Sequence, residues 1–315
     1  MSTELRHVHN ETLIQLAEHY DNVMVLEADL MGSVSTKSFS ERFPNNFIQC
    51  GIAEANMVGV ASGLSAIGKV PFIHSFGCFA TRRCYDQLFL AGGYAKQHIN
   101  IFGSDAGITA VTNGGTHMPF EDTGLMRLIP NSTVIDISDE NVLRAALHYA
   151  YTHYGINYIR STRKALPKLY RSESEITIGK GNILKEGKNI ALIASGICVH
   201  EALEAAQIIE EKSAFTVSVI DIHTIKPLDE ELILQQAHNV EHVITIENHN
   251  IIGGLGDAVA SVLISHTIPL SSFHKLGINE QFGQVGSLDY LKEFYGISAE
   301  KIAQYCLDKV QHIVQ

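Results

Sequence analysis

The segment at residues 47–64, FIQCGIAEANMVGVASGL, constrains the fold most strongly. A short apolar run ends at Gly51, and mostly apolar or small residues follow, with Gly59 and Gly63 four positions apart. This pattern predicts a helix that is buried nearly all round and that another backbone approaches closely. Its first turn carries Glu54, and a carboxylate in an apolar setting is costly without a partner. Glu54 therefore either complements the helix dipole or binds a basic nitrogen of a cofactor.

Apolar runs that are typical of buried strands alternate with helical stretches along the chain. The predicted strands occupy residues 22–28, 70–76, 99–102, 133–137, 157–161, 189–195, 216–222 and 242–248. This alternation predicts parallel sheets with helices on both faces. A polar, glycine-containing stretch interrupts it. We therefore expect an α/β chain of two three-layer αβα domains, residues 1–170 and 189–315, joined by a linker at 171–188.

Charge and composition narrow the possible partners. The net charge of the 315 residues is −11 without a basic run, which argues against nucleic acid or an anionic membrane as a partner. No stretch approaches the roughly 20 apolar residues that span a bilayer, and the first residues, MSTELRHVHNETL, lack the apolar core of a signal peptide. The five cysteines and the scattered histidines show no metal-binding spacing. We expect a cytoplasmic protein without metal ligands of its own.

Two long stretches carry a family resemblance. Residues 51–76, GIAEANMVGVASGLSAIGKVPFIHSF, followed by CFATRRCYDQ at 78–87, resemble the pyrimidine-binding domain of transketolases, which are thiamine-diphosphate enzymes. The second half, with ENHNIIGGLGDAVA at 247–260, resembles the C-terminal domain that transketolases share with the beta subunits of pyruvate-type dehydrogenases. The resemblance extends over nearly all of the chain. It is closest to the C-terminal halves of bacterial transketolases that are encoded as two chains.

The resemblance implies a cofactor site. Glu54 matches the catalytic carboxylate that bonds the aminopyrimidine ring of thiamine diphosphate, and Phe76 and Phe79 match aromatic residues that pack on this ring. Without the resemblance, these two rings read as ordinary core. Arg82 and Arg83 fall where single-chain transketolases carry another aromatic residue and its neighbour. We assign Arg82 to the cofactor site, although the residues themselves do not reveal what an arginine does there.

The resemblance also implies a substrate site. Arg6, Ser33 and Arg163 match groups that grip the phosphate end of a sugar phosphate, and an arginine suits phosphate because its planar fork offers two donors. The alternative is that Arg6 is a solvated charge at a helix start and that Arg163 is a surface arginine beside Lys164. His117, in GGTHMP at 114–119, matches the catalytic histidine that contacts the reacting hydroxyl or carbonyl of the sugar.

Two residues of the expected substrate site depart from the family pattern. Asp105 replaces a histidine that binds phosphate, and Asn113 replaces an aspartate four residues before His117. A carboxylate beside a phosphate repels it. Three readings stay open: the substrate has a different end, Asp105 is turned away, or Asp105 pairs with an arginine. The departures suggest a specialised sugar.

The part of a transketolase that holds the diphosphate and Mg²⁺ carries a GDG motif, which this sequence does not contain. The resemblance therefore implies that a separate N-terminal subunit supplies the Mg²⁺ ligands. The expected assembly is a heterotetramer of two chains of each kind, with a homodimer contact.

We expect this chain to be a subunit of a transketolase that transfers a two-carbon ketol unit and is active only with its partner. The alternatives are the beta subunit of a 2-oxoacid dehydrogenase and a carboligase similar to 1-deoxyxylulose-5-phosphate synthase. Arg6, Ser33 and Arg163 favour a phosphosugar enzyme over the dehydrogenase, and a two-chain arrangement disfavours the synthase. A non-catalytic paralogue is a further alternative, which the presence of Glu54 and Phe76 disfavours.

Overall fold

The computed structural model describes residues 3–311. The strands of this region are β1 Val23–Glu27, β2 Phe47–Gln49, β3 Val70–Phe76, β4 Ile99–Ser104, β5 Thr133–Asp136, β6 Ile156–Arg160, β7 Asn182–Lys185, β8 Ile190–Ala194, β9 Val217–Asp221, β10 Thr224–Lys226, β11 His242–Asn250 and β12 Ser272–Ile278. Its α-helices are α1 Leu5–His19, α2 Met31–Val34, α3 Lys37–Arg42, α4 Glu54–Ala66, α5 Gly77–Ala80, α6 Tyr85–Gln87, α7 Asp122–Leu128, α8 Glu140–Thr152, α9 Cys198–Lys212, α10 Glu230–Asn239, α11 Leu255–Ser265, α12 Leu288–Phe294 and α13 Ala299–Gln311.

The strands form two sheets. The first has the order β10-β5-β6-β4-β3-β1-β2, and all its neighbours are parallel except the pair β10 and β5. The second has the order β12-β11-β8-β9-β7, and only the pair β7 and β9 is antiparallel. Non-consecutive parallel neighbours require crossover connections, which here run through helices.

Helices cover both faces of each sheet. On β1, Val23 and Val25 join an apolar cluster with α1 and α8, whereas Met24 and Leu26 join a cluster on the opposite face with Met57 of α4. The second sheet packs against α9 and α13 on one face and against α10 and α11 on the other. Both strand faces are apolar because both are buried. The prediction of two α/β domains of three layers is confirmed.

Some local expectations differ from the structure. The stretch 171–188, expected to be a linker, contains β7, which pairs with β9 at the edge of the second sheet. The domain limits at 170 and 189 stay a prediction. Helix α4 is not buried nearly all round in this chain, because Gly59 and Gly63 lie on an exposed face, away from the sheet. Between residues 3 and 311, no helix is both long and apolar enough to cross a membrane.

A buried arginine at the end of β6 joins the two domains. The side chain of Arg160 is only 1% exposed. Its Nε donates to Asp122 Oδ2 at 2.7 Å, and its Nη1 lies 3.3 Å from Asp136 Oδ1. Its Nη2 donates to the backbone carbonyl of Asn248, at 2.6 Å, and so reaches the second domain. One cation therefore compensates two buried carboxylates and ties β11 to the first sheet.

We predict that Arg160→Met destabilises the chain by about 3–5 kcal/mol, because it leaves buried carboxylates without their cation. Urea denaturation followed by circular dichroism measures the change. The control is Arg171→Met at an exposed position, which should shift the free energy of unfolding by no more than about 0.5 kcal/mol. A loss below about 1 kcal/mol for Arg160→Met would show that this cation contributes little to holding the domains together.

Candidate active site

Glu54 begins α4 and is buried, with 2% of the residue exposed. The hydroxyl of Ser75, on β3, donates to its Oε1 at 3.1 Å. Nη1 of Arg83 lies 2.9 Å from both carboxylate oxygens. The carboxylate is therefore satisfied by one hydroxyl and one cation, as a buried charge requires.

The arginine that reaches Glu54 is Arg83, whose role the sequence did not indicate. Its guanidinium carbon lies 3.8 Å from the ring centroid of Phe79, a close cation–π contact. Arg82, which the resemblance assigns to the cofactor site, pairs instead with Glu121 Oε1 at 2.9 Å, and about half of its side chain is exposed. The spacing from Phe79 did not separate the two arginines, because residues three and four apart both share a helical face.

Three aromatic rings lie beside this ion pair. Phe76 ends β3, Phe79 lies in α5, and His117 comes from the loop before α7. The ring centroid of His117 lies 5.5 Å from that of Phe76 and 5.2 Å from that of Phe79, both in edge-to-face geometry. Nδ1 of His117 forms a hydrogen bond of 2.9 Å with the Thr116 hydroxyl. The structure thus brings the predicted histidine and both predicted phenylalanines together.

Asp105 pairs with Arg163, so one of the three open readings agrees with the geometry. Nε of Arg163 donates to Asp105 Oδ1 at 2.8 Å, and its guanidinium carbon lies 5.4 Å from the Phe76 centroid. Asp105 is 1% exposed and has a φ of +60°, an uncommon conformation for a residue with a side chain. Burial raises the pKa of Asp105, although the charge of Arg163 and, more weakly, those of His117 and Arg6 oppose this rise.

The other predicted substrate residues are less directly connected to the aromatic rings and to Glu54. Nε of Arg6, on α1, binds Glu4 Oε2 at 2.7 Å, and Lys164 binds the other oxygen of Glu4 at 2.9 Å. Ser33 lies in α2, which packs against α1, and Asn113 is exposed. In the described residues, no side-chain hydrogen bond links Ser33 or Asn113 to the aromatic rings or to Glu54.

A continuous series of side-chain contacts joins the remaining residues. We call it the site row, and in contact order it consists of Glu54, Arg83, Phe79, His117, Phe76, Arg163 and Asp105. It offers a buried carboxylate at one end, apolar rings and an imidazole in the middle, and an ion pair at the other end. Such a surface suits a flat heterocycle beside a polar substrate.

The second domain supports the loop that carries His117. A Cβ atom on Gly283 would lie 2.7 Å from Gly115 Cα and 2.5 Å from Met118 Sδ, too close for either to tolerate. Only glycine allows the two backbones to meet at this distance. The position of His117 therefore depends on a glycine that lies more than 160 residues further along the chain.

The site row fits the pyrimidine half of thiamine diphosphate. Glu54 can accept a hydrogen bond from a ring nitrogen of the pyrimidine or from the amino group on that ring. Phe76 and Phe79 provide apolar surfaces for a flat ring. The described residues offer no corresponding site for a metal ion. Over residues 3–311, no group of three or more His, Cys, Asp or Glu side chains is arranged to hold a metal ion.

Comparisons with known proteins give the family. Residues 2–168 match the model of the transketolase pyrimidine-binding domain, and residues 179–302 match that of the transketolase C-terminal domain. The chain is 43% identical over 301 residues to the 6-deoxy-6-sulfo-D-fructose transketolase subunit SqwH of Clostridium sp. (strain MSTE9), covering 95% of this chain and 92% of that one. It is 32% identical to human transketolase over 95% of its own length, but spans only 48% of the human protein.

A solved structure shows the same architecture. This structure, a split-gene transketolase described as an inactive beta4 tetramer, superposes on this chain with a TM-score of 0.86. The two are 35% identical, and the match covers 96% of this chain and 97% of the other.

We predict that Gly283→Ala destabilises the chain by about 1–3 kcal/mol, because the added methyl group forces the backbones at Gly115 and Gly283 apart. The matched control is Gly63→Ala, an exposed position within α4 with no atom within 4 Å of the new methyl group. It should raise the free energy of unfolding by roughly 0.5–1 kcal/mol, since alanine favours a helix over glycine. If both variants change stability alike in urea denaturation, the close approach at Gly283 does not hold the loop.

Proposed function

This chain belongs to the transketolase family, and on that premise we propose that it is the pyrimidine-binding and C-terminal subunit of a two-chain transketolase that moves a two-carbon ketol unit between sugars. The observation that best supports this proposal is the buried carboxylate of Glu54 beside the rings of Phe76 and Phe79. A carboxylate next to flat apolar surfaces is what binding and orienting an aminopyrimidine require.

Thiamine diphosphate, when bound, supplies the nucleophilic carbon on which ketol transfer depends. In our proposal the buried carboxylate of Glu54 would hold the aminopyrimidine by accepting a hydrogen bond from it and would set its protonation. Ser75 fixes the carboxylate through its bond to Oε1. His117 contacts the reacting hydroxyl or carbonyl of the sugar and moves its proton. Phe76 and Phe79 exclude water from the ring.

We infer that the ligands for Mg²⁺ and the diphosphate come from a separate N-terminal subunit in a heterotetramer. Relatives that are described as subunits have about the length of this chain, whereas the chain spans about half of human transketolase. The split-gene structure, built of one kind of chain, is described as inactive. The open face of α4 is a candidate contact surface, because Gly59 and Gly63 let another helix approach. Ile52 and Ile67, about three-quarters exposed, flank this face.

The alternatives receive no such support. The relatives and the structure named above, which cover nearly the whole chain, are described as transketolases or transketolase subunits. A non-catalytic paralogue would have no need to keep Glu54 and His117 on one continuous row of contacts.

We predict that this chain alone has no ketol-transfer activity and binds thiamine diphosphate poorly, and that mixing it with its N-terminal partner creates activity that neither chain has. In the mixed complex, Glu54→Ala should lower turnover by on the order of a hundredfold, which is the scale for losing positioned acid–base assistance. A coupled assay that follows the aldose product measures both effects.

The control for Glu54→Ala is Glu41→Ala on α3, which removes a carboxylate 3.7 Å from Lys37 and should leave turnover within about twofold, since exposed ion pairs contribute little. Turnover by the purified single chain would refute the two-chain proposal. Near-normal turnover by Glu54→Ala would leave Glu54 with only its helix-dipole role.

The charges around the expected phosphate position suggest which sugar the enzyme takes. Arg163 is paired with Asp105, and Arg6 with Glu4, so each arginine is already partly neutralised by a carboxylate. A phosphate carries a charge of about −1.5 to −2 at neutral pH, whereas a sulfonate is a monoanion. We propose that the substrate is a ketose with a singly charged or uncharged end. The relative that is named for 6-deoxy-6-sulfo-D-fructose makes a sulfonated sugar the first candidate.

We predict that the mixed complex prefers 6-deoxy-6-sulfo-D-fructose to fructose 6-phosphate, which has the same carbon skeleton, by at least roughly tenfold in kcat/KM. Two like charges about 4 Å apart cost about 4 kcal/mol at an effective dielectric constant near 20, or roughly a thousandfold, and Arg163 offsets part of this cost. Asp105→His should shift the preference towards fructose 6-phosphate and xylulose 5-phosphate.

The control is Asp86→His, which places the same substitution on α6, outside the site row. Ordinary efficiency of the natural complex with xylulose 5-phosphate would contradict the proposal. Asp105 would then be a paired acid without influence on the choice of sugar.

A further inference from the structure

Arg83 touches both groups that are expected to receive the pyrimidine ring. Its Nη1 contacts both oxygens of Glu54 at 2.9 Å, and its guanidinium carbon lies over the Phe79 ring, 3.8 Å from the centroid. A guanidinium is flat and presents N–H donors to a carboxylate, as a protonated aminopyrimidine does. These are the hydrogen-bonding and stacking contacts that an aminopyrimidine on Glu54 and Phe79 would make.

We propose that the Arg83 side chain competes with the aminopyrimidine for Glu54 and Phe79, so that cofactor binding displaces it. This inference rests on the proposed function, because it takes Glu54 and Phe79 to be the pyrimidine contacts. A ring face accepts one flat partner at van der Waals distance, and a guanidinium carbon at 3.8 Å already occupies it. Arg83 thereby lowers the affinity for the cofactor.

The surroundings of Arg83 permit such a displacement. Its side chain is 44% exposed, whereas that of Glu54 is 2% exposed, so the arginine approaches the carboxylate from the solvent side. The backbone beside it is held in place, because the Thr81 hydroxyl donates to the Gly77 carbonyl at 2.7 Å and Cys84 Sγ lies 3.2 Å from the Ala80 carbonyl. The side chain therefore swings away while its backbone stays.

The pairing also has a use before the cofactor arrives. A buried carboxylate with no cation is costly, and Arg83 removes that cost from Glu54. The cofactor, once bound, takes over the contact with the carboxylate. When the site assembles, Glu54 exchanges Arg83 for the cofactor. The strength of the pairing with Arg83 therefore sets the apparent affinity for the cofactor.

An arginine outside the site row supplies the control. Arg171 is exposed and lies almost ninety residues further along the chain. Arg171→Met removes the same side chain and the same net charge, without removing a contact to Glu54 or Phe79.

The experiment measures the Kd of thiamine diphosphate, with Mg²⁺ present, by isothermal titration calorimetry on the complex of this chain with its N-terminal subunit. Methionine at position 83 keeps an apolar stem and loses the cation. We expect Arg83→Met to lower the Kd by about tenfold, which corresponds to about 1.4 kcal/mol, and Arg171→Met to leave it within about twofold.

Arg83→Lys provides a second variant in case Arg83→Met does not fold. Lysine keeps the charge beside Glu54 but lacks the flat guanidinium that covers Phe79, so its Kd should fall between those of the wild type and Arg83→Met. An equal or higher Kd for both variants, with normal binding by the wild type, overturns the inference and makes Arg83 a group that helps to hold the cofactor. Failure of the wild-type complex itself to bind thiamine diphosphate overturns the proposed function.

Discussion

A guanidinium that is almost wholly buried is stable only when carboxylates and carbonyls surround it on every side. Arg160 meets this condition with acceptors from separate elements: Asp122 on α7, Asp136 on β5 and the Asn248 carbonyl on β11. Because β11 belongs to the second sheet, the cation is satisfied only when both domains are in place. The relation of the two domains is thus set by a charge requirement in addition to apolar packing. Ser195, which follows β8 of the second sheet, donates to Asp136 at 2.9 Å and adds a second link between the domains.

The same junction reaches the candidate site. The side chain of Asn248 donates to the Ala106 carbonyl at 2.9 Å and accepts from the Ile108 amide at 2.9 Å. These bonds flank Gly107, where an added Cβ would collide with Asn248. The turn that they hold follows directly on Asp105, whose left-handed φ needs such external support. The C-terminal domain therefore shapes the Asp105 end of the site row through Asn248, and the His117 loop through Gly283.

The pattern of apolar residues in the sequence predicted those strands that are buried along their whole length. Strand β3 has the predicted limits, residues 70–76, because all seven of its residues are buried and a glycine follows. Strand β10 was not predicted: it has three residues and its partner, β5, lies about ninety positions earlier in the chain. The site shows the same limit. The resemblance pointed to Glu54 and assigned Arg82 to the cofactor site, but the 3₁₀ turn at Arg82–Cys84 places Arg83 against Glu54. No periodicity in the sequence encodes that choice.

The composition of α4 predicts a helix that is more buried than α4 is in this chain. Its inner face, with Met57 and Ala61, packs against the first sheet, and its outer face presents Gly59 and Gly63. Glycine lowers the stability of an exposed helix by roughly 0.5–1 kcal/mol relative to alanine, so two of them on an open face have a cost and no benefit within the chain. The cost is offset when a second backbone packs against them. In the assembly that we propose, the pattern at residues 47–64 describes the helix with this face covered. Glu54 lies at the start of the same helix, so the proposed subunit contact and the proposed cofactor contact belong to one element.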